Sequence, residues 1–143
     1  MNSKYRNSVD SNLYFRIKLA GLWVTLMLLY IYCDIYSFHR PDYISEIISG
    51  MLGPFKVTQE VLAIFGLLMI MPALMVPACL FLKNIAIKFL NIVIGIFYLC
   101  VNIGNLVGEG WVYYWIYGIL EIILIIGIIT LSLRWKDKKY ENS

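Results

Sequence analysis

The stretch VLAIFGLLMIMPALMVPACLFL, residues 61–82, runs for 22 positions without a charge, and its length decides the fold. A helix rises about 1.5 Å per residue, so this run alone crosses a hydrocarbon core of roughly 30 Å. Three further runs do the same. Residues 89–108 hold 20 positions without a charge, residues 111–133 hold 23 with Glu121 alone, and residues 19–38 hold 20 with Asp34 near the end. The sequence therefore reads as all-α: a four-helix transmembrane bundle with spans at about 16–38, 60–82, 89–108 and 111–133.

With 143 residues, 61% of them hydrophobic, residues 1–143 form a single integral membrane domain without room for a soluble domain of ordinary size. No internal repeat or low-complexity tract interrupts it. The placement of the basic residues gives the orientation. Lys4, Arg6, Arg16 and Lys18 precede span one, Lys83 and Lys88 lie between spans two and three, and Arg134, Lys136, Lys138 and Lys139 follow span four. Only Arg40 and Lys56 lie in the first loop, and the last loop has none. The positive-inside rule puts both termini in the cytoplasm of a multi-pass protein of the cell membrane. The basic residues flank spans and do not build a basic face, which argues for the lipid bilayer as partner and against nucleic acid.

The basic, then apolar, N-terminus imitates a secretory signal. No small-residue cleavage site follows, and bulky Tyr32 precedes Cys33, so span one reads as retained. Cys33, Cys79 and Cys100 form no C-x-x-C pair and fall at different depths, which makes them packing residues and removes the motif of a thiol-redox enzyme.

Residues 1–15 are polar and read as disordered or surface-lying. After span one, Pro41 stops simple helical continuation. Ile44, Ile47, Ile48 and Met51 recur at helical spacing opposite Ser45, Glu46 and Ser49, which predicts a short interfacial helix between spans one and two. Gly50, Gly53 and Pro54 turn the chain, and Thr58 is placed to cap span two with Glu60 near the positive helix end. Pro72 and Pro77 predict a bend in span two. Gln59, Ala63, Gly66, Ile70, Ala73 and Pro77 make a stripe of mostly small residues that suits close helix contact. The short links predict spans two to four as adjacent antiparallel neighbours. Trp111, Tyr113, Tyr114 and Trp115 read as one interfacial aromatic belt, with Trp135 at the opposite end.

The polar residues inside the spans carry the functional question. Asn91, Gly95, Tyr98, Asn102, Asn105 and Glu109 share one arc of span three, and Tyr114, Tyr117, Gly118, Glu121 and Ser132 share a face of span four. Glu121 falls near mid-membrane, where a carboxylate is expensive and should face the interior, with Asn102 and Asn105 as its expected partners. Two readings compete. In one, amides, phenols and Glu121 glue the helices together. In the other, Asp34, Gln59, Asn102, Asn105 and Glu121 line an outward-opening pocket with His39 at its mouth, Glu109 and Tyr117 nearby. His39, the only histidine, reads as an interfacial hydrogen-bonding group before a proton carrier or metal ligand, because a metal site needs three or four ligands. Gly104 and Gly108 make a GxxxG on the opposite face, a pattern that serves homodimer contact and also arises by chance. No nucleophile–base pair, metal set or phosphate loop appears, so no catalytic residue, metal or cofactor is expected.

The stretches YCDIYSFHRP at residues 32–41 and GPFKVTQ at residues 53–59 resemble an uncharacterised bacterial family of four-span membrane proteins. PALM at residues 72–75, LNI at residues 90–92, Gly108-Glu109 and Tyr113-Tyr114 extend the resemblance over most of the chain. The resemblance implies a four-helix topology and no activity. A looser similarity to DoxX-like proteins rests on topology alone and carries no redox or quinone role onto any residue. The expected function is binding of a small amphiphile or a membrane partner in the outer half of the bundle. The alternative is a proton-coupled carrier of small solutes that uses Glu121, with a membrane enzyme third.

Overall fold

In a computed structural model that describes residues 3–135, helix α1 covers Ser3–Ser37, and no proline or glycine interrupts its first 18 residues. Its helix therefore starts well before the expected Arg16. The stretch apolar enough to cross a membrane is Asn12–Ser37. Side chains are described from Asn12 onward, so Lys4 and Arg6, together with Lys136, Lys138 and Lys139, lie outside the described side chains.

Helix α2, Pro41–Ile48, starts with Pro41 at its first position, where the missing N–H costs nothing, and with Asp42 in the first turn. It ends before Met51, which belongs to a hairpin of two short strands, β1 at Met51–Leu52 and β2 at Phe55–Lys56. Gly53 sits at φ +55° in the two-residue turn, a conformation that a side chain would oppose. The Thr58 hydroxyl accepts from the Val61 amide at 3.3 Å and caps helix α3, Gln59–Phe81.

Helix α4 covers Asn84–Leu106 and helix α5 covers Val112–Arg134. At 23 residues each, α3, α4 and α5 measure about 34 Å, enough to span with little tilt. Four helices are long and apolar enough to cross a membrane, so the chain is a multi-pass membrane protein. Helix α4 starts five residues before the expected Phe89. Ile87 is buried in the core and Lys88 reaches the Trp135 carbonyl at 3.4 Å, so the helix runs through Lys88 and begins right after Lys83.

The packing corrects the expected order of neighbours. Helix α1 packs on both α3 and α5, and α5 packs on α4, but α3 and α4 meet only through a few side chains despite a two-residue link. Arg16 of α1 grips this link. Its guanidinium donates to the carbonyls of Cys79 (3.3 Å), Leu80 (2.9 Å) and Leu82 (2.7 Å) and to the Asn84 side-chain oxygen (2.5 Å). Those carbonyls terminate α3, where the helix leaves acceptors unused and the dipole favours a cation.

Two glycines set the α4–α5 approach. A Cβ on Gly95 would stand 2.8 Å from Ile129 Cγ1, and one on Gly118 would stand 2.6 Å from Leu106 Cδ2. Both contacts fit one antiparallel register, which puts Glu121 level with Asn102 and Ile103. The small-residue stripe of α3 does not perform that role: Gly66 has no neighbour within 4 Å of a Cβ, and Ala63, Ile70 and Pro77 are exposed. Helix α3 instead buries Pro72, Met75 and Cys79. Gly108 lies beyond the end of α4 with φ +85°, so the GxxxG is a turn glycine after a helical one and not a helix face.

The packed core occupies the end of the bundle that carries Arg16, the basic end. Leu19, Trp23, Leu26, Ile87, Ile125 and Ile128 are fully buried there. Trp135, right after α5, is buried against protein: its indole N–H donates to Asn12 Oδ1 at 3.0 Å and its ring stacks on Phe15.

Candidate functional site

The two readings of the polar seam apply to different halves of the bundle. At the basic end the seam is glue. Asn91 is fully buried, accepts from the Trp23 indole at 2.7 Å, and donates to the Ile87 carbonyl at 2.8 Å and to Cys79 Sγ at 3.5 Å. Every polar atom of that amide has a partner, as burial in a lipid-immersed bundle demands.

Toward the other end, where α2 and the hairpin lie, the helices leave a cavity of about 110 Å³. All four long helices line it. Tyr30, Cys33 and Asp34 come from α1, and Phe65, Leu68 and Met69 from α3. Tyr98, Val101, Asn102, Asn105 and Leu106 come from α4, and Tyr114, Gly118 and Glu121 from α5. The walls are apolar and aromatic, with a few convergent polar groups, the usual makeup of a small-molecule site.

The floor follows from a proline. Pro72 has no N–H, so the Leu68 carbonyl one turn earlier loses its helical donor. The Tyr98 hydroxyl donates to that carbonyl from across the α3–α4 gap. The ring of Tyr98 stands edge-on to Trp23 at 6.1 Å and tilted against Tyr30 at 6.4 Å, which joins the cavity floor to the core. Above it, the Asn102 amide donates to the Tyr30 hydroxyl at 2.8 Å and to the Tyr98 carbonyl at 3.1 Å. Asn102 thus serves Tyr30 and not Glu121, contrary to expectation.

Glu121 is the exceptional group. It is 5% exposed and makes no hydrogen bond or ion pair with any described residue. Its oxygens are not sealed in protein, because the sole fully occluded side-chain polar atom without a partner, among the described residues, is Ser132 Oγ. The carboxyl therefore faces the cavity. A polar group so placed costs free energy unless something in the cavity satisfies it.

Four of the residues expected at the site, Asp34, Asn102, Asn105 and Glu121, line this cavity, and four do not. His39 is exposed at the end of α1, its Nδ1 paired with the Ile35 carbonyl at 3.1 Å. Gln59 is exposed as the first residue of α3. Tyr117 precedes Gly118 by one residue, and that step of about 100° turns its ring away from the cavity; the ring packs on Tyr36 instead, with centroids 6.2 Å apart. Glu109 is held by a latch between the two loops: it accepts from the Gly110 and Trp111 amides at 2.9 and 3.0 Å and pairs with Arg40 at 3.2 Å.

Arg40 also pairs with Asp42 at 2.7 Å and lies over the Trp111 ring at 5.0 Å. The Asp42 bond, then those to Tyr113 and Glu109, holds the guanidinium above its ordinary range. The same bond pulls the exposed Asp42 carboxyl down to about 2. Burial, then the nearby Asp34 charge, raises the Tyr43 phenol. The latch is thus an ion-pair network between the loops, outside the spans and outside the cavity.

A family of unknown function, DUF6326, matches residues 12–142. The chain belongs to that family. Membership agrees with the four apolar helices and assigns no activity to any residue of the cavity. Neither the curated proteins nor the solved structures contain a match to the chain.

The aromatic share of the site was less apparent from sequence. Phe65 has no polar neighbour at helical spacing to single it out, and Tyr30 has only Asp34, one turn further on. Pro72 held a usable signal: a proline inside a span frees the carbonyl four residues before it, and that carbonyl needs a donor from another helix.

Proposed function

We propose that the protein resides in the cell membrane with both chain ends cytoplasmic and binds a small amphiphilic molecule in the cavity at its outer end. The single observation that carries this reading is Glu121, a buried carboxyl without a partner among the described residues, turned into a cavity whose walls are mostly apolar and aromatic. A polar end seated against Glu121 satisfies the carboxyl, while an apolar tail follows the loosely packed α3–α4 seam toward lipid. Met69, 47% exposed, and Asn105, also exposed, stand on that seam. The orientation rests on ten basic residues at one membrane face against Arg40 and Lys56 at the other.

Mass spectrometry of lipids and metabolites retained by the purified protein tests the reading. An amphiphile retained by the wild type and lost from Val101→Trp, which fills the cavity, supports it. Identical retention by the two chains overturns it. A proton-coupled carrier is the second reading, favoured by the mid-span position of the same carboxyl. Uptake into proteoliposomes that needs a proton gradient and disappears in Glu121→Gln selects the carrier over the binder.

A further inference from the structure

The chemistry of the cavity wall narrows the ligand class. Two carboxyl groups, Asp34 and Glu121, border the space, and among the described residues no Lys, Arg or His does. At that end Arg40 is engaged elsewhere, pairing with Asp42 and Glu109 and lying over Trp111, and Lys56, exposed on the hairpin, does not line the space. Arg16 and Lys88 are held at the opposite end by backbone carbonyls. An anionic headgroup entering the cavity meets two carboxyl groups and nothing to compensate it, an arrangement that rejects anions as firmly as it attracts cations.

The remaining walls favour an organic cation over a bare ion. Tyr30, Tyr98, Tyr114 and Phe65 present rings to the same space, and aromatic faces attract alkylammonium groups through their negative quadrupole. A metal ion wants three or more hard or soft ligands at short range, and no such group of His, Cys, Asp and Glu occurs among the described residues. We infer that the cavity binds the ammonium headgroup of a cationic amphiphile, with Glu121 as counter-charge, Asp34 at the rim and the tyrosines as an aromatic wall. This inference rests on the amphiphile reading above and specifies its headgroup.

Three probes with the same twelve-carbon tail test it: dodecyltrimethylammonium, dodecyl sulfate and the neutral dodecanoyl glycerol. Each is titrated calorimetrically into the wild-type chain in phosphatidylcholine nanodiscs, with the heat of empty discs subtracted. The expected result is saturable binding of the ammonium probe, at least about tenfold tighter than either of the others, as a desolvated charge pair provides. Glu121→Gln, shown folded by its helical circular dichroism, should weaken that binding by about tenfold, and Asp34→Asn should weaken it severalfold. If the neutral or sulfate probe binds as tightly as the ammonium, the headgroup inference falls while the amphiphile reading stands. If none of the three saturates, both fall. The comparison of probes uses the wild-type chain alone, so it decides between these outcomes even where the Glu121→Gln chain does not fold.

Discussion

The Tyr98 hydroxyl donates to the Leu68 carbonyl, the acceptor that Pro72 leaves without a helical donor. One hydrogen bond thus repairs a break in α3 and bridges the seam where α3 and α4 otherwise hardly meet. It also forms the floor of the cavity. Tyr98→Phe should lower stability in detergent by about 1 kcal/mol, within the range of interhelical bonds in membranes. In a Pro72→Ala background the helix regains its own N–H for Leu68, so the same substitution should cost much less. Thermal unfolding of the four chains in this cycle checks the claim, and an equal cost in both backgrounds refutes it.

Gly118 and Gly104 offer a matched contrast. A Cβ at Gly118 meets Leu106, itself 6% exposed and with little room to yield, whereas a Cβ at Gly104 meets nothing within 4 Å. Gly118→Ala should therefore destabilise by about 1–3 kcal/mol through overpacking. Gly104→Ala should be neutral or stabilise by up to about 1 kcal/mol, the helix-propensity difference. Melting temperatures of both variants in one detergent decide it, and similar shifts would refute the proposed α4–α5 approach.

The Arg40 latch predicts a pH window. The folded Asp42 carboxyl lies near 2, below its ordinary 3.8, because Arg40 favours its charged form. Its contribution is complete above the ordinary value and is lost as pH falls through about 2. Carboxyl-carbon NMR should place the Asp42 midpoint near 2 in the wild type and in the ordinary carboxylate range in Arg40→Gln. A midpoint that does not move with Arg40→Gln would show that another group holds Asp42 down.

Orientation is checked by single cysteines in a chain whose own Cys33, Cys79 and Cys100 are replaced. A cysteine at Phe55, exposed in the hairpin, should react with a membrane-impermeant maleimide in intact cells, and one at Lys83 should react only after lysis. Reaction at Lys83 in intact cells reverses the assignment.

The fold was legible because length and charge alone specify it: an uncharged run of about 20 residues has few stable alternatives in a cell. Half of the expected site was legible for a related reason. Periodicity reports which residues share a helix face: buried Asn102 and Glu121, with Asp34 and Asn105 more exposed, all border the cavity. Periodicity does not report which neighbour a face meets. The short link at residues 83–88 made the second and third spans look like close partners, and nothing local announces that Arg16, 68 positions before Asn84, takes up the turn between them. Tyr117 shows how narrow the margin is, since one step along the helix separates the cavity wall at Gly118 from a ring packed on Tyr36.

The grip of Arg16 on the α3–α4 turn has a consequence for biogenesis. Each helix can insert on its own, but α1 holds a guanidinium whose acceptors are synthesised only when the α3–α4 turn leaves the ribosome. Helix α4 waits longer still, because its tight partner is α5, the last helix to be made. The packing of this bundle should therefore be completed only after α5 has been inserted. A nascent chain stopped before α5 holds three helices in the bilayer with Gly95 facing lipid, a state that membrane quality control should recognise and degrade.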